Sequence, residues 1–269
     1  MINYDQHVHT SFSFDSNEKM EDYMKLAGQD FVSTEHLEFN NPEVQNHDSI
    51  PDYTKYVAEI ERLKKATGKR VHKGIEIGMS AGQADKIKDY LAHHTFDIKL
   101  LSFHQDGTKD FGSDIVSHLD PLQVTDQYYQ LMWKGINEFH DADVLAHFDY
   151  GVRRLSLTSG QFSTTAGVLL TNIFKVAIQN NLAFELNTKS MYKYHNIGLY
   201  DYAIEIYKQL GGKRYTIGSD AHDAAHYEDH FRDALDMLKA HDIHHINVYR
   251  QGAMTVVLLM IFQKTFNYL

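Results

Sequence analysis

An α/β fold built on a parallel sheet is what this sequence predicts, and three features of the chain predict it. Short apolar, β-branched runs alternate with amphipathic helical patterns from start to finish. The runs have the punctuated, continuously apolar look of strands covered on both faces. At 269 residues and 43% hydrophobic content, the chain can bury a full core, at a size that suits one α/β barrel or two smaller domains; a single domain is the expectation.

The strand-like runs, in order, are Ile2 to Val8, Asp30 to Thr34, Val71 to Ile77, Ile98 to Phe103, Val144 to Phe148, Ala183 to Asn187 and Tyr215 to Ser219. Between and after them lie amphipathic segments: Glu18 to Gly28, Pro51 to Thr67, Gly82 to His93, Gln123 to His140, Thr164 to Asn180, Gly198 to Gly211 and Glu228 to His241. Pro51-Asp52 suits a first helical turn, and Gly28, Gly68 and Gly211 stand where a left-handed terminus would fall. The irregular stretch Leu37 to Ile50 reads as an active-site loop. Ala253 to Phe262 is apolar but too short to span a bilayer, and reads as a buried strand or core helix turn. Strand-helix alternation of this kind means a parallel sheet, closed or open.

Each strand-like run ends in polar residues, most of them able to hold a metal. His7 and His9 share one face of the first strand by the two-residue period, and Asp15 follows in the loop. Then come Glu35 and His36, Glu76 in Gly74-Ile75-Glu76-Ile77-Gly78, His104, His147, Asn187, and the pair Asp220 and His222. A lone His-x-His is as readily a hydrogen-bonded surface pair; the recurrence at every strand end is what points to a metal site, at the rim where strand-helix barrels build their active sites. Six histidines with three or four carboxylates exceed the needs of one ion, and the two oxygens of Glu76 suit a bridge, so two or three divalent ions are implied. An imidazole and carboxylate set without thiolates suits Zn²⁺, Mn²⁺ or Fe²⁺ alike. Ions about 3.5 to 4 Å apart serve hydrolysis of a phosphate ester.

Composition removes other classes. The formal charge of -10, with no run of Lys and Arg, argues against a nucleic-acid groove, while a small anionic substrate stays open because metals supply local positive charge. There is no cysteine, so disulfides, thiolate nucleophiles and Cys-based zinc ribbons are excluded. The amino terminus lacks a signal pattern and no segment is long enough for a membrane span, so a cytoplasmic protein is expected. The oligomeric state is not legible.

The ordered series His7-x-His9-Thr10, Thr34-Glu35-His36, Gly74-x-Glu76, Ser102-x-His104, His147 and Ser219-Asp220-x-His222 resembles the polymerase and histidinol phosphatase (PHP) superfamily over residues 2 to 222. Ala146 to Arg153 and Phe184 to Lys189 resemble its histidinol-phosphate phosphatase branch in particular. The resemblance implies a distorted seven-stranded (β/α)7, TIM-like barrel with a trinuclear metal site at the carboxyl rim of the strands, as a single domain over 1–269; the chain after Ile246 departs from the branch pattern, and the resemblance assigns no structure to the tail, 251–269. It implies one ion on His7, His9, Glu76 and Asp220, a second on Glu76, His104 and His147, and a third on Asp15, His36 and His222, with a hydroxide bridging two ions attacking phosphorus. Glu76, His104, Asp220 and His222 are the residues expected to carry the reaction.

By the same resemblance Arg153 and Lys189 contact the substrate phosphate, Lys189 giving a point charge where a bidentate fork is usual. One of Arg153 and Arg154 should face the site, and Asn187 joins them at the substrate. Glu35, where Asp is usual, is read as orienting a ligand. His226 and His230, four apart, read as an exposed helix face, the remaining histidines mostly as surface residues, and Phe14, Phe39 and Tyr192 as lining for an apolar pocket. The activity implied is hydrolysis of L-histidinol phosphate to L-histidinol and phosphate, in histidine biosynthesis. The alternatives are a general small-molecule or nucleotide phosphoesterase on the same barrel, and a non-catalytic metal-binding protein.

Overall fold

Residues 4–259 are described by the structure, a computed structural model. Its central sheet contains β1 (Asp30–Asn41), β2 (His47–Ser49), β3 (Arg70–Gly78), β4 (Ile98–Ser102), β5 (Val144–Leu145), β6 (Ala183–Asn187) and β7 (Tyr215–Gly218). The order is β2-β1-β3-β4-β5-β6-β7, parallel throughout except where the short β2 runs antiparallel against the end of β1. The helices α1 (Met20–Leu26), α2 (Tyr53–Thr67), α3 (Ala84–His93), α4 (Pro121–Glu138), α5 (Ser159–Gln179), α6 (Ile197–Gln209) and α7 (Phe231–Ala240) pack around it. Among the described residues, no helix is long and apolar enough to cross a membrane.

The sheet is curled into a distorted barrel, and the amino-terminal segment closes it. Thr34 N donates to Val8 O at 2.7 Å on one side, while Asp220 N donates to His7 O and His9 N to Ala221 O, both at 2.8 Å, on the other. Among the described residues this segment makes only an isolated parallel bridge, Val8 with Ala221, where a continuous strand is expected over Ile2 to Val8; Ile2 and Asn3 lie outside the described residues. The reason is that its side chains serve other bonds: Asp5 accepts from the main chain of Ser219 and of Glu228, and Gln6 bonds Asn247 and Tyr249. The antiparallel strand of the sheet, β2, comes instead from the stretch read as a loop.

Local signals account for the helix ends. Asp52 accepts from Lys55 N at the start of α2, which ends at Gly68 with φ +70°. Pro121 occupies the first turn of α4 behind the Asp120 cap. Helix α5 begins earlier than expected, because Thr158 and Gln161 form a capping box. Its inward face, Phe162, Ala166, Leu170, Ile173, Phe174 and Ala177, repeats at helical spacing and is buried.

A ribbon of β8 (His245–Arg250) and β9 (Ala253–Leu258) follows α7. Its two-residue turn, Gln251-Gly252, has positive φ at both positions, the geometry that matches strand twist. The inner strand β8 covers the floor of the barrel, where Tyr4 Oη donates to Tyr249 O at 2.7 Å. The turn therefore places β9 outside, with Met254, Val256 and Leu258 exposed; of the stretch Ala253 to Phe262, expected to be a buried element, the described part over Ala253–Leu258 is an exposed strand, and residues 260–262 lie outside the described residues.

Candidate active site

Glu76 is the centre of the site. It sits on β3 with no exposed surface, opposite His36 in the parallel register with β1. Its Oε2 lies 3.3 Å from Nε2 of both His7 and His9 and 3.0 Å from His36 Nδ1; its Oε1 lies 2.7 Å from His147 Nε2 and 3.1 Å from His104 Nε2. Five imidazoles, from β1, the ends of β4 and β5 and the closing segment, thus converge on one carboxylate. Its pKa lies well below the usual range: burial alone would raise it, and His7, His104 and His36 more than reverse that.

A second layer surrounds this centre. Asp15 Oδ2 stands 2.8 Å from His222 Nε2 and 3.3 Å from His36 Nε2. Asp220, at φ +53° after β7, has Oδ1 3.6 Å from His9 Nε2 and 3.5 Å from His222 Nδ1. Left-handed backbone is uncommon outside glycine, and here it turns the carboxylate back over the barrel mouth. These contacts bring the expected ligand residues into one cluster, in which His36 also reaches Glu76.

The donor set fits divalent cations. His36 Nδ1 and Glu76 Oε2 are buried and 3.0 Å apart, yet neither makes a directed hydrogen bond, as expected of two lone pairs aimed at a shared positive centre. The combinations His7, His9, Glu76; His36, Glu76, His104; and His9, His36, His222 each bring ligand atoms within 4.8 Å of one another. Burial, with His36 and His222 nearby, pushes the His9 imidazole well below its ordinary value, toward the neutral form that ligates.

Residues outside the expected ligand set orient it. Glu185 Oε1 lies 2.7 Å from His7 Nδ1, and Glu38 contacts His104 Nδ1. Glu35 accepts from Thr10 Oγ1 at 2.6 Å and from Ser13 Oγ; Ser13 Oγ stands 3.3 Å from His9 Nδ1. Glu35 therefore orients a ligand through Ser13, as read from the sequence. The sequence does not single out Glu38 or Glu185: Glu38 lies in a stretch with the look of a loop, and Glu185 in a motif whose signal is carried by its neighbours.

At the mouth, an inner recess opens into a chamber of about 540 Å³. Arg153 lines both, buried, stacked 4.0 Å over Tyr150 and 4.7 Å from Tyr194, with Nη1 3.7 Å from Asp220 Oδ2. Arg154 lies at the outer wall and pairs with Asp114 at 2.7 Å, so Arg153 is the one that faces inward. Lys189 Nζ is 3.2 Å from Asp220 Oδ1 and from His222 Nδ1. Asn187 has no exposed surface, bonds Glu185 and Ser190 N, and lines neither space; it braces the turn that carries Lys189. Phe14 lines the recess and Tyr192 the chamber, whereas Phe39 is buried and lines neither.

Other histidines depart from the sequence reading. His72 is buried, 2.9 Å from Asp30, and is no surface residue. His226 and His230 do not share a helix: His226 ends a short 3-10 turn, and His230 caps α7 while stacking 4.2 Å from Tyr192. Both line the outer chamber. Glu43, Asp110 and Tyr150 also line the recess, where Tyr150 Oη donates to Asp110 at 2.9 Å; their chain separations carry no pattern that would single them out.

A curled α/β barrel with this cluster at its strand-end rim, beneath a mouth that carries Arg153 and Lys189 among several carboxylates, defines a barrel protein with a rim metal centre. The PHP domain family model matches residues 5–189, and the chain belongs to that family. It is similar to a probable histidinol-phosphatase of Clostridium acetobutylicum, 27% identical over 239 residues covering 87% of this chain and 92% of that one. A probable histidinol-phosphatase of Thermotoga maritima is 25% identical, covering 94% and 99%. The crystal structure of histidinol phosphate phosphatase from Lactococcus lactis, complexed with Zn, L-histidinol and phosphate, superimposes with a TM-score of 0.80 at 20% identity, covering 94% of this chain and 98% of that one.

Proposed function

We propose that this chain is a metal-dependent phosphomonoesterase that hydrolyses L-histidinol phosphate to L-histidinol and phosphate. The observation that carries the reading is the convergence of five imidazoles on Glu76, three of which, His36, His104 and His147, line the same recess as the buried guanidinium of Arg153. Relatives aligned over nearly their whole length and named as histidinol-phosphatases support the substrate. In this reading His7, His9, Glu76 and Asp220 hold one divalent ion, Glu76, His104 and His147 a second, and Asp15, His36 and His222 a third, with Zn²⁺, Mn²⁺ or Fe²⁺ as occupants. Bound divalent ions supply Lewis-acid charge and water activated near neutral pH.

The protein's own groups do the rest. Arg153 holds phosphate oxygens with a fork whose orientation is set by Tyr150 and Tyr194. Burial opposes its charge, but Tyr150 and Asp220 more than offset that and raise its pKa, so the guanidinium stays protonated. Lys189 adds a mobile point charge beside Asp220. The wall from Arg153 to Tyr194 is cationic and aromatic, whereas the wall from Asp220 to His230 carries Asp223 and Asp229. A phosphate joined to an alcohol bearing an amine and an imidazole matches that polarity at both ends.

Purified protein with Mn²⁺ or Zn²⁺ is expected to release phosphate from L-histidinol phosphate far faster than from sugar phosphates or mononucleotides. Equal rates across such a panel would refute the substrate and leave a general phosphoesterase. Glu76→Ala is expected to lose bound metal and all hydrolysis together; turnover retained in that variant would sink the catalytic cluster.

A further inference from the structure

Two buried glutamates stand behind ligand imidazoles, and each lies over a glycine of the neighbouring strand. Glu38 on β1 pairs in register with Gly78 on β3, and a Cβ at Gly78 would collide with the Glu38 carboxylate. Glu185 on β6 sits beside Gly218 on β7, where a Cβ would collide with both Glu185 Oε1 and His7 Cβ. The strands thus give up side chains at two points of a tightly packed rim, and each gap holds a carboxylate rather than a core residue.

Each carboxylate has a definite task. Glu185 Oε1 is 2.7 Å from His7 Nδ1, and Glu185 Oε2 accepts the main-chain N–H of His147 at 2.8 Å. One buried side chain therefore sets the ring of a ligand to the first ion and the backbone of a ligand to the second. Glu38 contacts His104 Nδ1 in the same manner, turning His104 Nε2 toward Glu76. A carboxylate on the far nitrogen fixes the tautomer and raises the basicity of a ligating imidazole, and removing such a partner typically costs about 10- to 100-fold in metal affinity.

We infer that Glu185 and Glu38 are positioning residues for the metal centre, and that Gly218 and Gly78 exist to admit them, so that Glu185 couples the first two metal sites. This rests on the reading of the cluster as a metal centre. The test is Zn²⁺ affinity by chelator competition for the parent, Glu185→Gln and Glu38→Gln, with urea midpoints of the metal-free proteins beside it. Each Gln variant is expected to bind Zn²⁺ about 10- to 100-fold more weakly, Glu185→Gln weakening two sites, with metal-free midpoints near the parent's. Excess Zn²⁺ is expected to restore kcat without changing KM.

Gly218→Ala is expected to repeat the Glu185→Gln loss by pushing Glu185 and His7 out of place. A loss of Zn²⁺ affinity matched by equal loss of metal-free stability would mark a purely structural role and overturn the inference. A parent that holds Zn²⁺ beside variants that hold it equally tightly would overturn the inference alone. A parent that holds none would overturn the metal reading as well.

Discussion

Among single residues outside the metal cluster, Glu228 is a carboxyl group far from its ordinary behaviour. Burial, with the neighbouring Asp5 charge, pushes its carboxyl up to about 8, and its Oε1 is buried without a hydrogen-bond partner. An unfolded glutamate titrates near 4.5, so between about pH 4.5 and 8 the folded protein holds a proton that the unfolded chain has released. Folding stability contributed by this group is therefore lost as pH rises through that window. Glu228→Gln, which keeps the shape and removes the titration, is expected to stabilise by about 1 kcal/mol at pH 8 after discounting for partial solvent access, and by almost nothing at pH 4. Urea midpoints of the two proteins at both pH values check this; a gain independent of pH would assign the effect to packing. The His and Asp residues that gather at the rim were legible at this scale because they recur at strand ends. Glu38 and Glu185 were not, because a glutamate that orients a ligand differs from a surface glutamate only by what the fold places around it.

Whole elements were legible wherever apolar periodicity was strong, and their boundaries wherever a cap carried a signal that was read. Six of the expected parallel strands, β1 and β3 to β7, form near their expected places. Helix α5 shows the opposite case. Thr158-x-x-Gln161 closes a capping box, with Thr158 Oγ1 accepting from Gln161 N at 3.2 Å and Gln161 Oε1 accepting from Thr158 N at 3.0 Å, but the apolar pattern becomes regular only further on. Thr158→Ala leaves that amide without its side-chain acceptor. It is expected to cost about 1 kcal/mol, within a range of roughly 0.5 to 2, read as a lower urea midpoint with kcat unchanged. A midpoint equal to the parent's would show that water caps this helix as well as the hydroxyl does. The ribbon illustrates what periodicity cannot convey: β9 is as apolar as a core strand, yet after the tight turn at Gln251-Gly252 it pairs with β8 and stays exposed.

For the whole molecule, the decisive feature is how the barrel closes. The segment from Asp5 to Thr10 is joined to β1 and to the end of β7 by few main-chain bonds, so its place depends heavily on side chains. Of those, His7 and His9 converge on Glu76, itself held on the long, well-paired β3. Ions shared by these residues would tie the closing segment to the rest of the sheet, and any ligand that binds only the folded state adds stability by mass action. Chelation is therefore expected to lower the thermal midpoint while leaving the far-UV circular dichroism intact, because the packed helices and parallel strands do not depend on the cluster. Amide hydrogen exchange localises the change: protection is expected to fall first at Val8, His9 and Thr34, whose N–H groups bond across this seam, and to persist at the β3 and β4 amides. Uniform loss of protection on chelation would make the metals a support of the entire fold, and unchanged protection at Val8 and Thr34 would mean that the seam holds without them.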